Sequence, residues 1–255
     1  MNVFVEFDPW GRMGNRMFQY AFAYILASKR NTRLYTNGLH NFNIPNTLGL
    51  TPVNPIYTRS YGDNNVNMHE LFNTKRDVVV NSFVQKSCYY LPFRNELKEI
   101  FNVSPCIQEY DDTLVIHVRE TDYVQINQFL GYDYYRKLID FSGFKDVVIV
   151  TDNSECETVK RLVKDGCRIH SEGIVKDFNT TNDVRAMNDF NKLLRSDNIA
   201  ISQSSFSWWA AFLGDHSNII FPYKKIGGQW LLEPGSDNSD LYFDSPASVK
   251  YIDNH

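Results

Sequence analysis

Three stretches carry residue types that could handle a diphosphate. The first is His117-Val-Arg-Glu-Thr-Asp-Tyr123, in which His117 and Arg119 alternate with Ile116 and Val118 and so share one face of a strand. A planar guanidinium that keeps its charge matches two phosphate oxygens, and Asp122 could orient that arginine or His117. A salt-bridged strand end explains the same residues. The second is the serine-rich run at 202–207, where Ser204, Ser205 and the Phe206 amide come between an apolar, β-prone 199–201 and a bulky helical 208–213. That order reads as strand, tight turn and helix start, where open amides, the positive end of the dipole and hydroxyls suit a phosphate. A helix cap supplied by Ser205 or Ser207 reads equally well. The third is the turn-rich stretch 8–15: Gly11 and Gly14 would let backbone approach a ligand, with Arg12 and Asn15 as donors. A tight turn with a solvated arginine is the alternative. Asp189, on a predicted helix ahead of the serines, could accept from the N1–H and N2–H of a guanine or lie on a solvated face.

The elements that must hold these residues alternate. A strand at 3–7 precedes the glycine-containing loop, and a helix over 16–29 follows, with Met17, Tyr20, Ala21, Tyr24, Ile25 and Ser28 in one stripe. Strands are expected at 33–36 and 77–81, a helix at 93–101, and an irregular region over 37–67. Residues 102–112, with Pro105, read as a linker and a domain boundary. Beyond it come strands at 114–118, 147–151, 168–170 and 198–201, with 218–221 as the last, and helices at 133–140, 155–164 and 183–194. The pattern implies a largely parallel, doubly wound sheet, whose ligands bind at the carboxyl ends of the strands.

The composition excludes several classes. A net charge of −4 gives no field for nucleic acid or an anionic membrane, so an anionic ligand must be met locally. Cys88, Cys106, Cys156 and Cys167 lack C-x-x-C spacing and read as reduced thiols. The acidic start lacks the pattern of a signal peptide, and no run has the length of a membrane span. The expected location is cytoplasmic or peripheral at a membrane. There is no P-loop, G-x-G-x-x-G, H-E-x-x-H or Asp-x-Asp, so neither a metal nor another cofactor is expected.

Together the motifs carry a resemblance. GRMGNRMFQYAFA at 11–23 closely resembles the G-G-L-G-N-Q-M-F-Q-Y-A-F-A signature of the α-1,2-fucosyltransferases, glycosyltransferase family eleven. HVRETDY at 117–123 resembles their H-x-R-R-x-D-Y, VIVTDN at 148–153 looks like their F-S-D-D strand end, and the block at 189–213 resembles their D-L-x-L-M-S…I-x-x-N-S-S-F-S-W-W-A-A-x-L. The α-1,6- and protein O-fucosyltransferases share the H-x-R core more distantly. The resemblance implies an α/β fold of GT-B type, two Rossmann-like domains facing each other across a cleft, with 1–110 on the acceptor side and 111–255 binding the donor. It implies inverting, metal-independent transfer of fucose from GDP-fucose, a co-substrate rather than a cofactor, to a glycan hydroxyl such as O-2 of galactose. Arg119 would bind the β-phosphate, with Asp122 near it. Ser204, Ser205 and the Phe206 amide would hold the diphosphate, Asp189 would bind guanine, and His117 would line the guanosine pocket. Gly11, Arg12, Gly14 and Asn15 would lie across the cleft near fucose and acceptor.

Three positions depart from the pattern: Glu120 for the second Arg, Arg16 for Gln, and Gln203 for Asn. Glu120 would exchange a cation near the diphosphate for an acid. The general base is unassigned, since the position that carries it in the α-1,6 enzymes is Asn127; Asp8, Glu120 and Asp122 are candidates. A same-build enzyme with another sugar nucleotide and a non-catalytic sugar-nucleotide- or carbohydrate-binding protein are the alternatives.

Overall fold

A computed structural model describes residues 1–7, 9, 11–58, 66–103, 109–125, 129–171, 184–223, 241, 243 and 248–253. The chain divides into two units, Met1–Ser104 with Gly235–Phe243, and Pro105–Pro234 with Asp244–His255.

In the first unit β1 (Val3–Val5) leads into α1 (Met13–Arg30), then β2 (Leu34–Tyr35), β3 (Ile56–Tyr57), α2 (Met68–Asn73), β4 (Val78–Val80) and α3 (Arg94–Ile100). The strands form a four-stranded sheet in the order β2-β1-β4-β3, parallel at every pairing. Two expectations are corrected here. Region 37–67 holds a 3₁₀ turn at His40–Phe42 and the edge strand β3; its residues 59–65 lie outside the described residues. Helix α1 starts earlier than expected, so Gly14 and Asn15 belong to its first turn rather than to a loop, with the Arg16 amide on the Arg12 carbonyl (3.0 Å). The α1 C-terminus has Asn31 in the left-handed region (φ 51°), with its amide bonded to the Ser28 carbonyl.

The second unit comprises β5 (Glu109–Val118), α4 (Asp122–Gln125), α5 (Gly131–Ser142), β6 (Asp146–Thr151), α6 (Glu157–Lys164), β7 (Arg168–Ile169), α7 (Val184–Arg195), β8 (Ser196–Ala200), α8 (Ser205–Leu213), β9 (Asn218–Tyr223) and β10 (Ser248–Asp253). Its sheet runs β10-β9-β8-β5-β6-β7, again parallel throughout. Strand β5 begins at Glu109, so part of the expected linker is strand, and β10 rather than β9 comes last in sequence.

Chain order reverses between β5 and β8. Leu114, Ile116 and Val118 pack with Tyr134, Tyr135 and Leu138 of α5 and with Val159 and Leu162 of α6 in one core cluster. The odd positions of β5 therefore face the other side. There α8 is apolar on all sides and buried on all sides, as an inner helix must be. Trp208 and Phe212, one turn apart, stack with ring centroids 4.7 Å apart. Buried Asn198 ties three strands together: its amide donates to the Thr113 carbonyl (3.2 Å), and its carbonyl accepts from Asn218 (2.7 Å).

Candidate functional site

The register of β5 assembles the site. His117 pairs with Val150 and Val118 with Thr151 of β6, while Ile116 pairs with Ala200 of β8. The next residues of β5, β6 and β8 thus leave the sheet together at the carboxyl edge beside the β5/β8 reversal, where open α/β sheets bind ligands.

His117 is buried, and its Nδ1 lies 2.7 Å from the Ser202 hydroxyl. Its ring meets the Phe206 ring at 5.5 Å, and Phe206 in turn meets Phe190 of α7 at 5.5 Å. The Tyr135 hydroxyl donates to the His117 carbonyl (2.9 Å), fixing the strand end. Burial pulls the His117 pKa down from 6.5 to about 4, against the opposing charge of Asp152, so the imidazole is neutral at physiological pH. Its contribution to stability is present above pH 6.5 and is lost as pH falls toward 4, because the unfolded state takes up the proton first. Relative to wild type, His117→Gln is expected to flatten the fall in unfolding free energy between those pH values by roughly 3 kcal/mol, read by chemical denaturation across that range. An equal slope in both proteins would contradict the assignment.

Arg119 follows the last residue of β5 and is held by two carboxylates. Its Nη1 is 2.9 Å from Asp152 Oδ2, and its Nη2 is 3.0 Å from Asp122 Oδ1. The Thr121 hydroxyl also donates to Asp152 (2.5 Å). The arginine is fixed in place, and its charge is shared rather than offered outright.

The serine run supplies the helix start. Ser204 is the N-cap of α8 in extended geometry (φ −126°, ψ 128°), and its hydroxyl makes no capping bond. Neither Ser205 nor Ser207 is the cap: Ser205 is the first helical residue, and the Ser207 hydroxyl donates back to the Ser204 carbonyl (3.3 Å). The first-turn amides of Phe206 and Ser207 have no acceptor among the described residues, which makes an anion-ready terminus on a rigid, buried helix.

Asp189 is buried rather than solvated. It accepts from the Ser171 hydroxyl (2.9 Å), and its Oδ2 lies 3.6 Å from Arg185 Nε. Arg185 also donates to the carbonyls of Thr151 (3.0 Å) and Ser171 (3.3 Å), joining the ends of β6 and β7 to α7. The structure therefore brings together His117, Arg119, Asp122, Asp189, Ser204, Ser205 and Phe206 in the second unit. Gly11, Arg12, Gly14 and Asn15 belong to the first, where the Asn15 side-chain oxygen accepts from Gln85 (3.0 Å). Asp8 and Asn127 lie outside the described residues.

Glu120 is not where the motif comparison put it. Its side chain goes to the α5/α6 side, beside Gly131, Cys156 and Thr158. Its acid is on the opposite side of the sheet from His117 and Ser202. Asp152, Arg185 and Ser202 are site residues that the sequence reading did not single out. A usable signal existed for Arg185: it stands four residues before Asp189 on one helix.

No family model matches the sequence, and no curated protein does. Among solved structures, the chain is similar to an Arabidopsis thaliana FUT1 mutant in complex with GDP, at 12% identity and a TM-score of 0.54, over 89% of this chain and 72% of that one. It is also matched to E. coli heptosyltransferase WaaC with ADP (10% identity, TM-score 0.46, 98% of this chain and 93% of that one). A third match is apo POFUT1 (12% identity, TM-score 0.41, 98% and 97%). The fold assignment rests on the first: the chain has an α/β fold of GT-B type, with two Rossmann-like domains. Among the described residues, no helix is long and apolar enough to cross a membrane.

Proposed function

We propose that the protein is a glycosyltransferase that uses a nucleotide sugar, and specifically an inverting, metal-independent enzyme moving fucose from GDP-fucose to a glycan hydroxyl such as O-2 of galactose. The fold shared with a GDP-bound FUT1 supports this reading. The observation that carries it is the conjunction, at the β5/β8 edge, of an anion-ready α8 start with a fixed arginine and a neutral, buried histidine.

In this proposal the acceptor hydroxyl attacks the anomeric carbon while GDP leaves from the opposite face. The β-phosphate takes the amides of Phe206 and Ser207 and the hydroxyls of Ser204 and Ser205. Arg119 stabilises its growing charge by exchanging half-exposed Asp122 for phosphate oxygen while buried Asp152 keeps hold of the guanidinium. Neutral His117, held on Ser202, lines the nucleoside side with Phe206. Asp189, fixed by Ser171 and Arg185, accepts from the guanine N1–H and N2–H. Gly11, Arg12, Gly14 and Asn15 serve the sugar and acceptor. Asp122 orients Arg119 until the donor arrives, and leaving-group stabilisation contributes more than a general base does.

Calorimetric titration with GDP and UDP tests the nucleotide. Because UDP leaves the Asp189 carboxylate without its two donors, GDP is expected to bind at least ~10-fold more tightly. Equal affinities, or binding of UDP alone, would refute the guanine reading.

A further inference from the structure

The α5/α6 side of the second unit holds a cavity of about 610 Å³, inside the ~300–1,000 Å³ range of ligand pockets. Glu120, Thr121, Asn153, Thr158, Tyr132 and Arg161 line it, with Val124 and Phe129 as exposed apolar edges. All of them belong to the second unit, and the cavity lies across the sheet from His117 and Ser202.

Its polar groups have unmet needs. Glu120 is 6% exposed, and its Oε1 accepts no hydrogen bond. Leaving a buried acceptor unmet costs ~1–3 kcal/mol, a cost that a ligand donor would remove. Burial is also the main cause that raises the Glu120 pKa; the nearby Thr158, Cys156 and Gly131 amide lower it, and the Asp152 charge adds to the rise. The Asn153 side-chain oxygen is used, accepting from the Glu155 amide (2.9 Å), which leaves its NH₂ to donate. The opposite wall is stiff: the Arg161 guanidinium stacks over the Tyr132 ring at 3.6 Å, and the Tyr132 hydroxyl donates to Asp165 (2.6 Å). Cys156 supplies no nucleophile, since burial pushes its thiol up to about 12.

The ligand these groups fit offers hydroxyl donors to a carboxyl oxygen, a hydroxyl acceptor to an amide, and a C–H face to aromatic rings. A second diphosphate does not fit, because Glu120 and Glu157 outnumber Arg161. A vicinal diol on a pyranose meets every requirement. We infer that this cavity is a neutral-sugar subsite, with Glu120 as the acceptor for ligand hydroxyls and Asn153 as the donor, and that it holds a sugar unit of the acceptor glycan. The last clause rests on the glycosyltransferase reading; the sugar-binding chemistry does not.

The test is ligand-observed NMR with free galactose, fucose and xylose as separate probes, on wild type, Glu120→Leu and Thr158→Val, with GDP binding measured calorimetrically on the same samples. At least one sugar is expected to bind wild type and to bind each variant about 10-fold or more weakly, while GDP affinity stays within about twofold. Thr158→Val removes the hydroxyl that orients the Glu120 carboxyl, and thermal melts of both variants, expected to match wild type, separate loss of the subsite from misfolding. No sugar bound by wild type, or equal binding by both variants, overturns the subsite. Sugar binding that depends on Glu120 in a protein that ignores GDP would keep the subsite and remove the transferase reading. GDP binding without sugar binding would do the reverse.

Discussion

Replacing Arg119 by lysine is expected to lower turnover of GDP-fucose by ~10²–10³-fold while leaving the unfolding midpoint nearly unchanged. Removing one preorganised donor from a developing negative charge typically has that effect on rate. Lysine keeps a cation near Asp152 but loses the planar fork, so it cannot hold Asp152 and a phosphate oxygen at once. The alanine variant is a poorer probe. It would strand the buried carboxylate of Asp152, and breaking a buried pair typically costs ~3–5 kcal/mol. Steady-state rates and thermal melts of the lysine variant check both halves. Near-native turnover would remove Arg119 from the chemistry, and a collapsed melting curve would assign it to structure alone.

The second large effect is expected from Ser204→Asp. Aspartate is as good an N-cap as serine and favours the dipole, and the open α8 amides offset the desolvation of its carboxylate at this buried position, so the protein is expected to stay folded. A fixed carboxylate at the same point opposes a diphosphate. Two unit charges ~4 Å apart near a protein surface interact by about 4 kcal/mol, so GDP affinity is expected to fall at least ~10²-fold. The variant separates the two readings of the serine run, since a mere cap would leave GDP titrations unchanged. The hydroxyl of Ser204 makes no capping bond as it stands, which favours the loss.

Much of this site was legible because β-strands repeat every two residues. His117 lies opposite Ile116 and Val118 for that reason, but β5 ends at Val118, so the carboxylates of Asp152 and Asp122 rather than the pleat fix Arg119. Glu120, just past the strand, turns to Gly131, Cys156 and Thr158, a placement that its position in the motif does not reveal. Asp152 was harder to find. It follows a strand that any apolar run predicts, but its place beside Arg119 depends on the β5/β6 register, which pairs Val118 with Thr151. Ser171 reaches Asp189 for a similarly long-range reason.

The misplaced elements have physical causes as well. Gly14 suggested a loop because glycine costs a helix backbone entropy, yet that cost is only ~1 kcal/mol and an 18-residue helix carries it. Strand β3 is two residues long and gains its order from β4, where Ile56 pairs with Val78. Strand β10 carries Lys250 at its centre and is an edge strand, so its sequence lacks the continuous apolar run of the inner strands. The parallel, doubly wound plan needed none of these details. It followed from the alternation of elements, and both sheets are parallel throughout.

The most direct measurement is acceptor-dependent release of GDP from GDP-fucose, set beside UDP- and dTDP-sugars, with galactose-, fucose- and xylose-terminated glycans as acceptors. The account predicts GDP release from GDP-fucose that rises with one of these acceptors and falls by ~10² or more in Arg119→Lys. Release of UDP or dTDP instead, or no acceptor-dependent release from any donor, would contradict it.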